Sequence, residues 1–373
     1  MEFVGFVWRT IMNYKQKKLA SFIVDYSLNI KPQEKVFINY VGSNKEFLET
    51  LKYTIEEKNA IPIVFDMTPY EEIELIKSLN EEDIDLLIDK SIELISKCDS
   101  FISLLEDSDF ILDNKYQYQS DLYYKKYKKV IRDYRLKKCK WIGLRLPSVQ
   151  LARKFNMSYE EFCSFYYDVC GIDYKRLKDD YLWLEELMSN TNHIEISSVD
   201  TNISFDKAGI SAHILSGEKN LPDGEIYTAP IKDTVNGTIR FNADSVQNGF
   251  KFKDISLKFV DGKIEEFNSN NNELFNNIIN SDGGSKYVGE FAIGLNDKIS
   301  VPHGVILYDE KILGSIHFAL GQAYDDAYNG NDSCLHWDLV QVQKPEYGGG
   351  KVIFDDEIIM QDGIIKKNRG RKK

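Results

Sequence analysis

The groups best suited to do chemistry lie between Gly289 and Val340, in GEFAIGLN, YDEKILGSIHFALGQAY and HWDLV. Glu290 sits between a glycine and the apolar run FAIGL, Glu310 lies in YDEK, and His317 lies inside SIHFALG. An ionised carboxylate in an apolar strand or turn needs a cation or several donors to offset its desolvation. His336 and Asp338 are one residue apart, so on a strand both project to one face while Trp337 projects to the other. Such a pair is a compact nitrogen–oxygen chelate. Taken alone, His317 reads as a hydrogen-bonded core histidine, and Cys334 as packing. Glu225, directly after the turn Pro222-Asp223-Gly224, opens the strand-like EIYTAP and adds a carboxylate from earlier in the chain. Together Glu225, Glu290, Glu310, His317, His336 and Asp338 form a carboxylate-rich set with two imidazoles. That balance suits Zn, Co or Mn, and is typical of paired-metal hydrolytic sites more than of structural zinc. No HExxH is present, so a helix-based single-zinc protease is not indicated.

These groups need a scaffold, and its pattern changes along the chain. From Tyr14 helix-like and strand-like segments alternate: KKLASFIVDYSL, then KVFINYV after the Pro32 turn, a helix with Phe47, Leu48, Leu51 and Ile55 on one stripe, IPIVFDM, an acidic helix to Leu79, a buried run Phe101 to Leu105, a Tyr- and Lys-rich helix over Tyr116 to Leu136, and KWIGLRLP. Strands spaced by helices imply crossover connections and a mainly parallel sheet covered on both faces, here over residues 14–147. VGSNKEF follows the first strand, with neither GxGxxG nor GxxxxGK[ST], so nothing in the sequence supports a nucleotide site. Ser158 to Leu187 reads as helices whose aromatic stripes form core. After Asn190 the pattern turns to period two. HIEISSVDTNISFDKA and DISLKFVDGKIEEF read as hairpins, the second with Asp261-Gly262 at its tip. The expected architecture is α/β: an N-terminal open α/β domain over residues 1–192, and a C-terminal β-rich α+β domain over 193–373 that carries the metal site.

The 373 residues are 43% hydrophobic with a formal net charge of -12, which fits a globular protein with two cores and argues against a nucleic-acid partner. Five cysteines without a CxxC pair point away from a disulfide framework and toward a reducing interior. The apolar patch Phe3 to Trp8 is too short for a secretory core, and no run approaches the ~20 residues that span a bilayer. A cytoplasmic protein with no membrane partner is expected.

The sequence resembles the M29 metallopeptidases, the aminopeptidase T and aminopeptidase S group. The resemblance rests on NLPDGEIYTAP with TVNGTI, on KYVGEFAIGLN, on LYDEKILGSIHFALGQAY and on NDSCLHWDLV, in the family's order. It is weaker over the first half, through SLNIKPQEKVFI. By motif it implies that Glu225, Glu290, His317, His336 and Asp338 are metal ligands, with Glu310 a sixth candidate. Tyr324 in GQAY takes the position of the catalytic tyrosine, and Glu290 is also a candidate proton acceptor. The function implied is removal of N-terminal residues from peptides with a free amine by two divalent metal ions, in a homodimer. The alternatives are a two-metal hydrolase of a non-peptide amide or ester, or a non-catalytic metal-binding protein on the same fold. Three features depart from the family pattern. Met1 to Asn13 reads as an extension without a fold, Ser315 stands where threonine is frequent, and the basic tail KKNRGRKK reads as a solvated end.

Overall fold

A computed structural model describes residues 2–107 and 112–367. The chain forms two compact units. The first runs to Ile172 and takes in Gly217–Pro222; the second comprises Asp173–Ser216 and the chain from Asp223 onward. No helix among the described residues is long and apolar enough to cross a membrane.

The first unit is built on four parallel strands, β1 (Lys35–Val41), β2 (Ile61–Met67), β3 (Ser100–Glu106) and β4 (Lys140–Leu146). Their order is β2-β1-β3-β4, and the short strand Asn220–Leu221 adds to β4, also in parallel. Helices make the crossovers, and local chemistry sets where they begin. Thr68 and Glu71 form a reciprocal capping box with Pro69 in the first turn of the helix Pro69–Ser78. Ser158 and Glu161 do the same for Tyr159–Cys170. The expected parallel α/β layer is therefore present. One expectation is corrected. Residues 2–13 do not form a fold-less extension: they belong to the helix Glu2–Phe22, in which Met12 is buried and Lys15 Nζ lies 2.7 Å from Asp168. The helix packs against Glu46–Glu57 and Tyr159–Cys170, which no local pattern at the N-terminus announces. Of the basic tail, residues 368–373 lie outside the described residues.

The second unit carries two large antiparallel sheets and a two-stranded antiparallel ribbon, Ser245–Gln247 with Phe250–Phe252. The larger has eight strands, and both expected hairpins lie in it: His193–Ser198 with Thr201–Asp206, and Ser256–Val260 with Lys263–Asn268. Asp261 and Gly262 both take left-handed backbone at the second tip, and a Cβ at Gly262 would strike the Lys232 carbonyl. The smaller sheet has five strands in the order His336–Val342, Ser315–Gly321, Val288–Gly294, Glu225–Thr228, His213–Leu215. Its three long strands alternate in meaning. Phe291, Ile293, Ile316, Phe318, Leu320 and Leu339 project to one face, which is fully buried. On that face Phe205 of the larger sheet meets the rings of Phe291 and Phe318 edge-on, with centroids 5.2 and 5.8 Å away. Burial of this face fixes the register, because a one-residue slip would turn every apolar side chain to the opposite side.

Candidate metal centre

The other face of the five-stranded sheet is where the chemistry collects. In register across it stand Glu225 and Tyr227, then Glu290, Ala292 and Gly294, then Ser315, His317, Ala319 and Gly321, then His336 and Asp338. Donor groups alternate with residues of little or no side chain. Ala319 lies between Glu290 and Asp338 in one row, and Gly294 pairs with Glu225 in another. Larger side chains at these rows would fill the space between the carboxylates.

Each donor is set by its own local structure. Glu225 opens its strand after Gly224, whose φ of +114° is glycine territory. The turn is pinned where Asn296 Nδ2 donates to the Asp223 carbonyl at 2.9 Å and Leu295 N donates to the Gly224 carbonyl at 2.8 Å. Glu290 follows Gly289 at a register shift between Val288 and Glu290, and a Cβ at Gly289 would strike the Gly321 carbonyl. His336 and Asp338 share a face, as their spacing predicts. Trp337 turns the other way, packs at a tilt against the Phe252 and Phe275 rings, and donates from Nε1 to Ser245 Oγ at 2.8 Å. His336 Nδ1 lies 2.9 Å from the Gln322 carbonyl, a contact that orients the ring and leaves Nε2 to the cluster. Glu310 comes from outside the sheet, at the end of the short helix Ile306–Asp309. Asp309 holds that turn by accepting from the backbone N–H groups of His303, Gly304 and Val305.

All six sequence-predicted donors meet. His317 Nε2 is 3.6 Å from Glu225 Oε2 and 3.5 Å from Glu290 Oε1. His336 Nε2 is 3.5 Å from both Glu290 Oε2 and Asp338 Oδ1. Three overlapping triads have ligand atoms within 4.8 Å of one another: Glu225–Glu290–His317, Glu290–His336–Asp338 and Glu310–His317–Asp338. Tyr324 lies at the rim. It is 43% exposed, yet its hydroxyl is 3.5 Å from His336 Nε2, and burial of that end together with the Glu290 and Asp338 charges raises its pKa so that it keeps its proton. Tyr227 packs against the Tyr324 ring and donates to Asp326 Oδ2 at 2.9 Å.

Sequence reasoning missed Lys311. Its side chain is buried, with Nζ 2.5 Å from Glu225 Oε1, 2.9 Å from Glu310 Oε1 and 3.9 Å from Asp223 Oδ1. The signal was a lysine next to Glu310 at the head of the apolar run ILGSIHFAL. Electrostatics explains its place. Burial raises the pKa of Glu225 and brings Glu310 to about 7, both against the pull of Lys311. Burial lowers the imidazole pKa values, but the hydrogen bond to Glu290 and the Glu225 charge lift His317 to about 9, and Asp338 lifts His336 to about 10. Burial works against ionised Asp338 as well, and His336 outweighs it, holding that carboxyl below the usual carboxylate range. With no divalent cation, protons on two imidazoles and one ammonium balance the cluster. That compensation leaves Glu225 Oε2 and His317 Nδ1 buried without hydrogen-bond partners among the described residues. A buried, unpartnered carboxylate oxygen on Glu225 and two imidazoles that present Nε2, in three triads of ligand size, fit divalent metal.

A family profile described as thermophilic metalloprotease (M29) matches residues 12–364. Aminopeptidase 2 of Geobacillus stearothermophilus is 27% identical over 164 residues, 39% of this chain and 39% of that protein. Aminopeptidase AmpS of Bacillus subtilis (strain 168) is 26% identical over 161 residues, 40% of this chain and 39% of that one. These alignments span well under half the length of either relative. The solved structure of wild-type AmpT from Thermus thermophilus superposes with a TM-score of 0.74 at 17% identity, covering 95% of this chain and 99% of that chain, which shows a shared fold.

Replacing Lys311 tests the electrostatic balance. Lys311→Met should destabilise the metal-free protein by about 3 kcal/mol in denaturant unfolding, the lower end for a broken buried pair because Glu310 can take a proton instead. A change below about 1 kcal/mol would remove Lys311 from the balance.

Proposed function

The chain belongs to the M29 family of thermophilic metalloproteases, and from that premise we propose that it is a metal-dependent aminopeptidase acting through two divalent ions. The observation that carries this reading is the convergence of six donors, five on one sheet face and Glu310 from the adjoining helix end, with Glu225 Oε2 left unpartnered among the described residues. Glu225, Glu290 and His317 would hold one ion, and His336, Asp338 and Glu310 would complete the second position. Glu290 and Asp338 each belong to two triads and are the carboxylates suited to sharing. The donor set suits zinc, cobalt or manganese.

Bound divalent ions would polarise the scissile carbonyl and acidify the attacking water. The chain's own groups do the rest. Glu290, fixed by the Gly289 register shift, receives the proton that the water gives up. The substrate's free α-amine would be held by a bound ion or by a carboxylate beside the cluster, which restricts cleavage to the first residue of a peptide. Tyr324, protonated and at the rim, donates to the oxyanion that develops on the carbonyl. A homodimer in the cytoplasm completes the reading, by analogy with the family.

Metal-stripped protein should cleave no aminoacyl anilide and regain cleavage with Zn, Co or Mn, while acyl-blocked anilides stay intact. Turnover of the blocked compounds would instead indicate a hydrolase that ignores the free amine. Tyr324→Phe should keep its metal in elemental analysis and lose on the order of 10²–10³ in turnover. Asp338→Ala should lose metal and activity together, and a full metal complement in it would contradict its role. Metal uptake should also depend on pH. Each imidazole must shed its proton to bind a cation, and His317 and His336 hold theirs to about 9 and about 10. Affinity should therefore rise with pH across the neutral range, and titration calorimetry in buffers of different ionisation enthalpy should register protons released. Uptake without proton release at neutral pH would show that the imidazoles are not ligands.

A further inference from the structure

The first unit holds a feature that peptide cleavage does not use. Two adjoining cavities, about 190 and about 230 Å³, lie against one face of its parallel sheet and share Asn39, Phe101, Lys128 and Ile131. The floor is unusual for a buried sheet face. Asn39 of β1 and Ser103 of β3 stand side by side in register, and no side-chain hydrogen bond reaches either of them from the described residues. They sit where the strand order reverses, since β2 lies to one side of β1 and β3 to the other. Ligands of open parallel sheets collect beyond the carboxyl ends of the strands at such a reversal. Asn39 and Ser103 lie mid-strand on the face below it, so a ligand here is selected by the cavity lining itself.

The two chambers differ in chemistry. The inner one is walled mainly by Phe37, Phe65, Leu87, Leu94 and Tyr127, rich in rings, with Lys90 and Ser91 at its edge. The outer one presents Lys128, Lys129, Arg132 and Arg135, and among the described residues no carboxylate lines it. Four cations around one cavity stand out in a chain of net charge -12. Three of them have carboxylates nearby: Lys128 Nζ is 3.1 Å from Glu72, and Lys129 and Arg132 pair with Asp133. Arg135 has none. Its guanidinium stacks 4.5 Å over the Trp141 ring and 5.6 Å from that of Phe101, and its Nε is buried without a hydrogen-bond partner among the described residues. A planar fork held on aromatic faces with a donor unused is built to take an oxyanion. The segment Leu122–Tyr127, which brings Tyr124 and Tyr127 to the two chambers, is a π-helix, a form that concentrates at functional sites.

We propose that the paired cavities bind a small organic phosphate bearing a flat ring, a mononucleotide or a molecule of that chemistry, with the ring in the aromatic chamber, Asn39 and Ser103 at its polar edge, and the phosphate against Arg135 and Lys128. The missing GxGxxG and GxxxxGK[ST] loops exclude a phosphate cradled by backbone, and here side chains supply the donors.

Titration calorimetry of the full-length protein with AMP at low ionic strength tests the site. AMP should bind saturably, and adenosine and inorganic phosphate at least about tenfold more weakly, since each lacks half of the contacts. Arg135→Met should weaken AMP binding at least about tenfold. Because Arg135 also packs on two rings, the exposed double variant Lys129→Glu/Arg132→Glu provides a second reading with the same expected loss. Both variants should keep anilide cleavage, and Asp338→Ala should keep AMP binding, which separates this site from the metal centre. The proposal is overturned by no saturable AMP binding, by inorganic phosphate binding as tightly as AMP, by AMP affinity unchanged in both basic-face variants, or by AMP binding lost in Asp338→Ala.

Discussion

Carboxylates repel one another, and a protein interior makes that repulsion expensive. The second unit nonetheless gathers Glu225, Glu290, Glu310 and Asp338 around His317 and His336. What permits this is the burial of the opposite sheet face. Phe291, Ile293, Ile316, Phe318 and Leu339 hold the strands in one register, so the donors on the reverse face have nowhere to separate to. Alanine and glycine between the donors keep the space among them open. Lys311 and two protonated imidazoles balance the charge in the metal-free state, and divalent cations are the natural replacement for those protons.

Much of this arrangement was legible in the sequence. The alternation in HWDLV placed His336 and Asp338 on one face before any coordinates, and the period-two runs after Asn190 became antiparallel hairpins. The alternating first half became a parallel sheet. What sequence could not give is whatever depends on distant partners. Lys311 reads as an ordinary polar residue until Glu225, 86 positions earlier, is folded against it. The row that puts Ala319 between Glu290 and Asp338 exists only once three strands are in register. The helix at the N-terminus was misread for the same reason, because the helices it packs against, Glu46–Glu57 and Tyr159–Cys170, come later in the chain.

The two units use their sheets in different ways. In the second, charged groups occupy a face cleared of bulk, and its oxygen and imidazole donors are of the kind that fit divalent metal. In the first, Asn39 and Ser103 stand side by side on the cavity floor, beneath a roof that is aromatic at one end and cationic at the other. Both sites follow from the same rule, that polar side chains on a buried face stay only where something answers them.

Anomalous diffraction at the absorption edge of the bound metal, from crystals of the protein as isolated, is the most direct test of the central claim. The account predicts anomalous density among Glu225, Glu290, Glu310, His317, His336 and Asp338, with two peaks roughly 3.5–4 Å apart and Lys311 remaining on the Glu225 and Glu310 side. Metal located elsewhere, with His317 and Glu290 still paired to each other, would contradict it.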